Sequence, residues 1–281
     1  MAAAIGITDC HVHVNRFDRM RPEAQALIRQ NPTFSLMERF MHDAGAFLEH
    51  LDREGIEQAW LINYCAKKVM GYGPEVNEWI AHYVEIDKKR LVAVGGLEVG
   101  AGPVPATAVD ALRAAGIRAI KVHTVHQCIR PDDARLWPAL SRAAELRMPV
   151  IFHTGTSRFP GADNAFADPG PAAAIARAFP SLPIILAHGG RPDHTAEAVR
   201  LLRAFPNVWI DLSSCPPHRL AHYFGDLATL SHRLLWGSDW PGPGVPGMRA
   251  NVEAFRALDI PAVAQRRILQ DNADSLLASA R

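Results

Sequence analysis

Val150-Ile151-Phe152-His153-Thr154-Gly155 and Ile184-Ile185-Leu186-Ala187-His188-Gly189-Gly190 each carry a continuous apolar run into a histidine and then into glycine. An unbroken apolar run this short fits a strand covered on both faces, as in a parallel sheet. Working outward from these two, six more β-rich runs stand at 5–9, 59–63, 91–95, 119–123, 208–212 and 234–238, which makes eight. Helical patterns lie between them at 107–115, 132–147, 171–179, 196–205 and 248–258. The first ends at Gly116 and the second just before Pro149, with Arg147 in its last turn, all ordinary helix stop signals. Strand–helix alternation at this density means βαβ units and a parallel sheet. Eight units of ~35 residues suit a closed α/β barrel, the (β/α)8 or TIM barrel, spanning residues 1–281 as one domain. The rival is an open doubly wound sheet. It lacks its G-x-G-x-x-G turn, and the glycine cluster at 95–102 follows the third strand with the wrong spacing.

Composition narrows the function. The formal net charge is +1, which argues against a partner that is nucleic acid or an anionic membrane. With 48% hydrophobic and 21% charged residues the chain reads as packed and globular. No apolar run approaches the ~20 residues needed to span a bilayer. The opening MAAAIGITDCHVHV has no basic region ahead of an apolar one, and the four cysteines (10, 65, 128, 215) form no C-x-x-C, so a reduced cytoplasm is the expected location. Histidine is abundant, with 13 copies. The connections 14–58 and 64–90 are long and carry helical patterns, for example at 36–53. Following strands one and two, these insertions would lie at the mouth of the barrel, as a lid or as the interface of a homodimer. The tail, 261–281, reads as a closing helix.

The chemistry sits at the strand ends. Strand one runs Thr8-Asp9-Cys10-His11-Val12-His13, strand four ends Lys121-Val122-His123, strands five and six end at His153 and His188, and strand eight leads to Ser238-Asp239-Trp240-Pro241. Residues i and i+2 of a strand share a face, so His11 and His13 can both point inward with Asp9 below them, while Cys10 should face the helices. Imidazoles and a carboxylate converging on one barrel mouth suit Zn2+ and related divalent ions and leave room for a water.

DCHVHV (9–14), FHTG (152–155), AHGG (187–190), GSDWP (237–241) and ILQDNADSLL (268–277) together carry a resemblance. Over essentially its whole length the chain resembles the amidohydrolase superfamily, in the branch that includes aminocarboxymuconate-semialdehyde decarboxylase. The resemblance implies a single-domain barrel with one divalent metal, usually zinc, with Mn2+ or Fe2+ as alternatives. It implies His11, His13, His153 and Asp239 as metal ligands, with His188 beside the metal-bound water. The branch is chemically mixed. The reading it favours is a metal-dependent hydrolase of a small carboxylate-bearing lactone, ester or amide. The alternative is a non-oxidative decarboxylase of an aromatic or unsaturated carboxylic acid.

Elementary chemistry supports these roles. A bound divalent ion lowers the pKa of its water toward ~7. Asp239 can bind metal with one oxygen and accept a proton with the other, and His188 can exchange protons near neutral pH. Three neutral imidazoles and one carboxylate leave a divalent ion with net positive charge, which favours an anionic small-molecule substrate. Arg191, after the His188-Gly-Gly turn, can clamp a substrate carboxylate. Lys121 and His123 share a face and are candidate substrate contacts, as is Trp240 beside Asp239. Asp9 and Asp211 are read as supports for ligand histidines or loop backbone. His42, His50, His82, His126, His194, His218, His222 and His232 fall on surface or helical stretches.

Overall fold

The computed structural model describes residues 5–242 and 245–280. Eight parallel strands run in sequence order: β1 (Thr8–Val12), β2 (Gln58–Ile62), β3 (Leu91–Gly96), β4 (Ala119–Val122), β5 (Val150–His153), β6 (Ile184–Ala187), β7 (Val208–Asp211) and β8 (Leu234–Leu235). Cys10 N–H donates to Trp236 O at 2.9 Å, Asp239 N–H to His11 O at 2.8 Å and His13 N–H to Trp240 O at 2.8 Å. These bonds join the last strand to the first, so the sheet is a TIM barrel.

β1 starts three residues later than the apolar run at 5–9 suggests, because pairing decides it. Thr8 and Asp9 find partners in β2, whereas Gly6 N–H is taken by the Gln270 side chain at 3.0 Å. The helix expected at 132–147 splits into a 3-10 turn, Ala134–Leu136, and a helix, Trp137–Glu145. Pro138 is the reason, since it is tolerated only in a first turn.

Two layers of core follow from the strand period. Val150, Phe152, Ile184, Leu186 and Ile210 pack outward against helix residues such as Leu140, Ile175, Leu201 and Phe255. Ile62, Val94, Ile151, Ile185 and Leu235 fill the barrel interior. By the same alternation Lys121, His153 and Asp211 point inward. Cys10 is a correction. It lies in the interior cluster, not toward the helices. The register of β1 against β2 shifts between Asp9 and Val12, and such an irregularity breaks the two-residue period. The shift lets Cys10, His11 and His13 all serve the inside.

Both insertions are helical. The first holds Pro22–Ile28, Phe34–His42 and Ala44–Glu54, the second Glu75–Tyr83. Asp43 divides the middle pair, its carboxylate accepting from Ala46 N–H at 2.8 Å as an N-cap. The insertions bond to each other through Arg21 N–H to Met70 O at 2.9 Å and Tyr72 O–H to Arg16 O at 3.1 Å. The tail is helical in three consecutive segments from Ala262 to Ser279. Among the described residues no helix is long and apolar enough to cross a membrane.

Candidate metal centre

Every candidate side chain stands at the C-terminal ends of the strands, where barrels of this type build their sites. One ring nitrogen from His11, one from His13 and a carboxylate oxygen of Asp239 lie within 4.8 Å of one another. Asp239 Oδ1 is 3.2 Å from His13 Nε2 and 3.6 Å from His11 Nε2. The opposite nitrogens are already committed. His11 Nδ1 lies 2.5 Å from Asp211 Oδ2, and His13 Nδ1 lies 3.1 Å from the Ile62 carbonyl. Each therefore donates from Nδ1 and turns an Nε2 lone pair toward the shared space. Buried His11 Nε2 and His153 Nε2 have no hydrogen-bond partner among the described residues. Imidazole lone pairs left bare beside a carboxylate are the donor set a divalent cation takes, so these residues fit a metal ion.

His153 and His188 complete the histidine wall. His188 lies 4.8 Å from His11 and 4.8 Å from His153, ring centre to ring centre. Its Nδ1 bonds to the Ser213 carbonyl at 3.2 Å and to Ser213 Oγ at 2.8 Å. Ser213 Oγ also donates to Asp211 Oδ2 at 2.9 Å, tying the supports of His11 and His188 into one network. His153 stands outside the close trio, its ring stacked on His123 at 3.8 Å.

Local geometry shows why these motifs read as they do. Gly155 has φ +90°, and a Cβ there would sit 2.3 Å from Arg191 O, so FHTG needs its glycine. A Cβ on Gly237 would fall 2.6 Å from Asp211 Oδ1 and 2.8 Å from His11 Cβ. His188, Ser214 and Asp239 hold positive φ of 63°, 59° and 67° without being glycine. Such conformations cost energy and cluster at functional sites.

Burial sets the electrostatics. It lowers His11, and Lys121 adds to this while Asp211 opposes it. It holds His123, His153 and His188 well below the ordinary histidine range, so all three are neutral. Burial alone would raise the Asp239 carboxyl. The surrounding His13, His11 and Arg191 outweigh it and hold the Asp239 carboxyl far below the usual carboxylate range, so it is ionised. Asp9 is pushed up to about 7 by burial, though its Oδ1 accepts from Ser238 N–H at 2.9 Å and His11 N–H at 3.1 Å. Lys121 is 1% exposed, its ammonium has no hydrogen-bond partner among the described residues, and burial pulls it down to about 8. Arg191 donates from Nη2 to Ser214 Oγ, and its buried Nε has no partner among the described residues.

The sequence profile of the family described as amidohydrolase matches residues 8–278. The chain belongs to the amidohydrolase family. It is an enzyme of that superfamily, whose members include hydrolases and decarboxylases. No curated protein matches this amidohydrolase in sequence. Solved structures resemble it in fold. An uncharacterized TIM-barrel protein from Bordetella bronchiseptica is 20% identical, with 98% of this chain and 99% of that chain covered and a TM-score of 0.74. A candidate 2-pyrone-4,6-dicarboxylic acid hydrolase from Pseudomonas putida is 21% identical, with 98% of each chain covered and a TM-score of 0.63. A dihydroxybenzoic acid decarboxylase from a Polaromonas species, with bound manganese, is 17% identical, with 98% of this chain and 97% of that chain covered and a TM-score of 0.69.

One further sequence reading needs correction in this amidohydrolase. Trp240 packs on His50, Phe40 and Phe47 at 5.1, 5.9 and 6.3 Å, in the helix-facing core. Its side chain anchors the first insertion and does not line the histidine cluster. Following Asp239 in sequence says nothing of direction once Asp239 adopts a left-handed turn. His50 and His126 lie on helices, within the expected surface or helical stretches, and both are buried there. Tyr64 and Ser213 are not visible from the sequence, because a tyrosine after β2 and a serine after β7 carry no motif. Arg16 pairs with Asp18 at 2.5 Å. Cavities elsewhere in the molecule include one of about 470 Å3 beside Gly6 and Arg90 and one of about 150 Å3 between Phe17 and Phe34.

Two predictions arise here. Asp211→Asn should weaken divalent-metal affinity by about 10–100-fold, because the amide no longer enforces the Nδ1–H tautomer of His11. Competition with a chromogenic chelator measures this, and unchanged affinity would show that Asp211 only packs. Trp240→Ala should cost about 3–5 kcal/mol of stability in urea unfolding. A substrate-contacting tryptophan would instead show a kinetic defect at near-normal stability.

Proposed function

We propose that this site is a divalent-metal hydrolytic centre for a small lactone, ester or amide that carries a carboxylate. The observation that carries the reading is the His11, His13 and Asp239 trio, with His11 and His13 each locked from behind through Nδ1. His153 is assigned as the further ligand, since its unpartnered Nε2 belongs to the same wall. The ion assigned is Zn2+, which three neutral imidazoles and a carboxylate suit, with Mn2+ or Fe2+ as tested alternatives. When bound it would acidify a water and polarise a carbonyl.

The chain's own residues supply the rest. His188, neutral and fixed through Nδ1, offers Nε2 to take a proton from water and return it to the leaving group. Asp239, ionised, offers its second oxygen for the same proton. Lys121 and Arg191 have donors to spare within the barrel mouth, and a substrate carboxylate would satisfy both charge and hydrogen bonding. His123 backs His153 by stacking.

Non-oxidative decarboxylation of an aromatic or unsaturated acid is the second reading. The residues it needs are the same, and a fold relative described as a decarboxylase is as similar as one described as a hydrolase. The test is metal analysis of protein purified without chelator, then incubation with lactones, amides and aromatic acids while following acid and carbon dioxide. About one equivalent of metal with acid release supports the hydrolase, and carbon dioxide release moves the assignment to the lyase. Turnover unaffected by chelator would sink the metal centre.

A further inference from the structure

We propose that Tyr64 is a catalytic hydrogen-bond donor of this site and that His126, anchored by Ser157, is the positioning residue that aims it. The inference rests on the metal-centre reading above and adds residues that reading does not use. Tyr64 lies two positions past Ile62, whose carbonyl holds His13. Its ring is 6.4 Å from that of His13 and 4.7 Å from that of His123, so it leans between the ends of β1 and β4. Tyr64 Oη is 3.3 Å from His126 Nδ1, and His126 Nε2 is 2.8 Å from Ser157 Oγ. His126 is 1% exposed on the short helix Thr124–Gln127. Its ring stacks on His123 at 3.5 Å and meets Phe159 edge-on at 5.4 Å, so it cannot turn.

The hydrogen bonds are assigned one of the two directions that a neutral imidazole between two hydroxyls allows. A neutral imidazole has one donor and one acceptor nitrogen. Ser157 Oγ already accepts from Phe159 N–H at 3.3 Å, and its own hydrogen is free for His126 Nε2. His126 then carries its hydrogen on Nδ1 and gives it to Tyr64 Oη. The single hydroxyl hydrogen of Tyr64 is left over, on a buried ring beside the histidine wall. Its partner is a substrate carbonyl or carboxylate oxygen that gains negative charge during the reaction. No atom is transferred, and the contribution is that of a preorganised donor. Burial, with the nearby charge of Asp239, raises the Tyr64 hydroxyl far above neutral pH, so the hydrogen is always present.

The test uses acetohydroxamic acid, a small oxyanion that chelates divalent ions, titrated calorimetrically into the zinc-loaded protein. Tyr64→Phe should weaken binding about 10-fold or more with metal content unchanged. His126→Leu should match it, and His126→Asn, whose side-chain N–H falls near Nδ1, should recover most of the loss. Equal binding by wild type and Tyr64→Phe overturns the proposal while leaving the metal centre standing. No binding by wild type overturns the metal centre and this proposal with it, a distinguishable result. A second readout needs neither metal nor substrate nor variant. Nitrogen-15 NMR of histidine-labelled protein should find His126 neutral with its hydrogen on Nδ1, and a hydrogen on Nε2 overturns the assignment.

Discussion

Asp239→Asn should lower divalent-metal affinity by at least about 100-fold and abolish turnover with it. Asp239 is the only carboxylate in the trio and faces two imidazoles at 3.2 and 3.6 Å. An amide offers those positions a neutral oxygen and removes the anion that offsets the cation's charge. The fold should survive. Asp239 anchors the barrel closure through its backbone, N–H to His11 O at 2.8 Å, which the substitution keeps. The check is metal content by elemental analysis beside thermal unfolding of the metal-free protein. Full metal content in the variant would remove Asp239 from the ligand set. A collapsed melting temperature in the metal-free form would make the residue structural.

Lys121→Met should do the reverse to stability and still cost activity. A buried ammonium without a partner is expensive, and methionine fills much the same volume with no charge. Burial lowers Lys121 from 10.5 to about 8 in the folded chain. Between those values the unfolded state binds the proton and the folded state does not, so wild-type stability rises with pH across that window. Below it the full penalty applies, about 3 kcal/mol at most. Near pH 7 the variant should therefore be more stable than wild type by a few kcal/mol, and the gap should close as pH approaches 10.5. Urea unfolding of both metal-free proteins across this range measures it. Activity should move the other way, with kcat/KM for a carboxylate-bearing substrate falling about 10–100-fold as a charged hydrogen bond is lost. Such a trade of stability for function is common at active sites. A variant less stable than wild type at neutral pH would show that Lys121 is held by a partner and is structural.

The barrel was legible because its strands are short apolar runs at regular intervals, a signal that needs only neighbours in sequence. The same holds for the histidines and the aspartate at strand ends. Once eight parallel strands close, every strand end lies on one rim, so His11, His13, His153, His188 and Asp239 could be grouped before any contact was known. Asp211 was legible as a support for the same reason, two residues before Ser213 at the end of β7.

What the sequence could not decide was direction. Cys10 turned inward because pairing shifts the register of β1, and register is a property of two strands. Trp240 turned outward because Asp239 takes a left-handed conformation, which only the closed barrel enforces. His126 and Tyr64 met because the helix after β4 and the segment after β2 pack together, residues 62 apart in the chain. Periodicity along the chain determined which residues reach the rim, and membership of the family adds the expectation of a divalent metal there. Only the tertiary structure decided which rim residues turn toward the His11, His13 and Asp239 cluster, which hold those that do, and which face away, because hydrogen-bond partners and buried neighbours come from distant segments that no local pattern encodes.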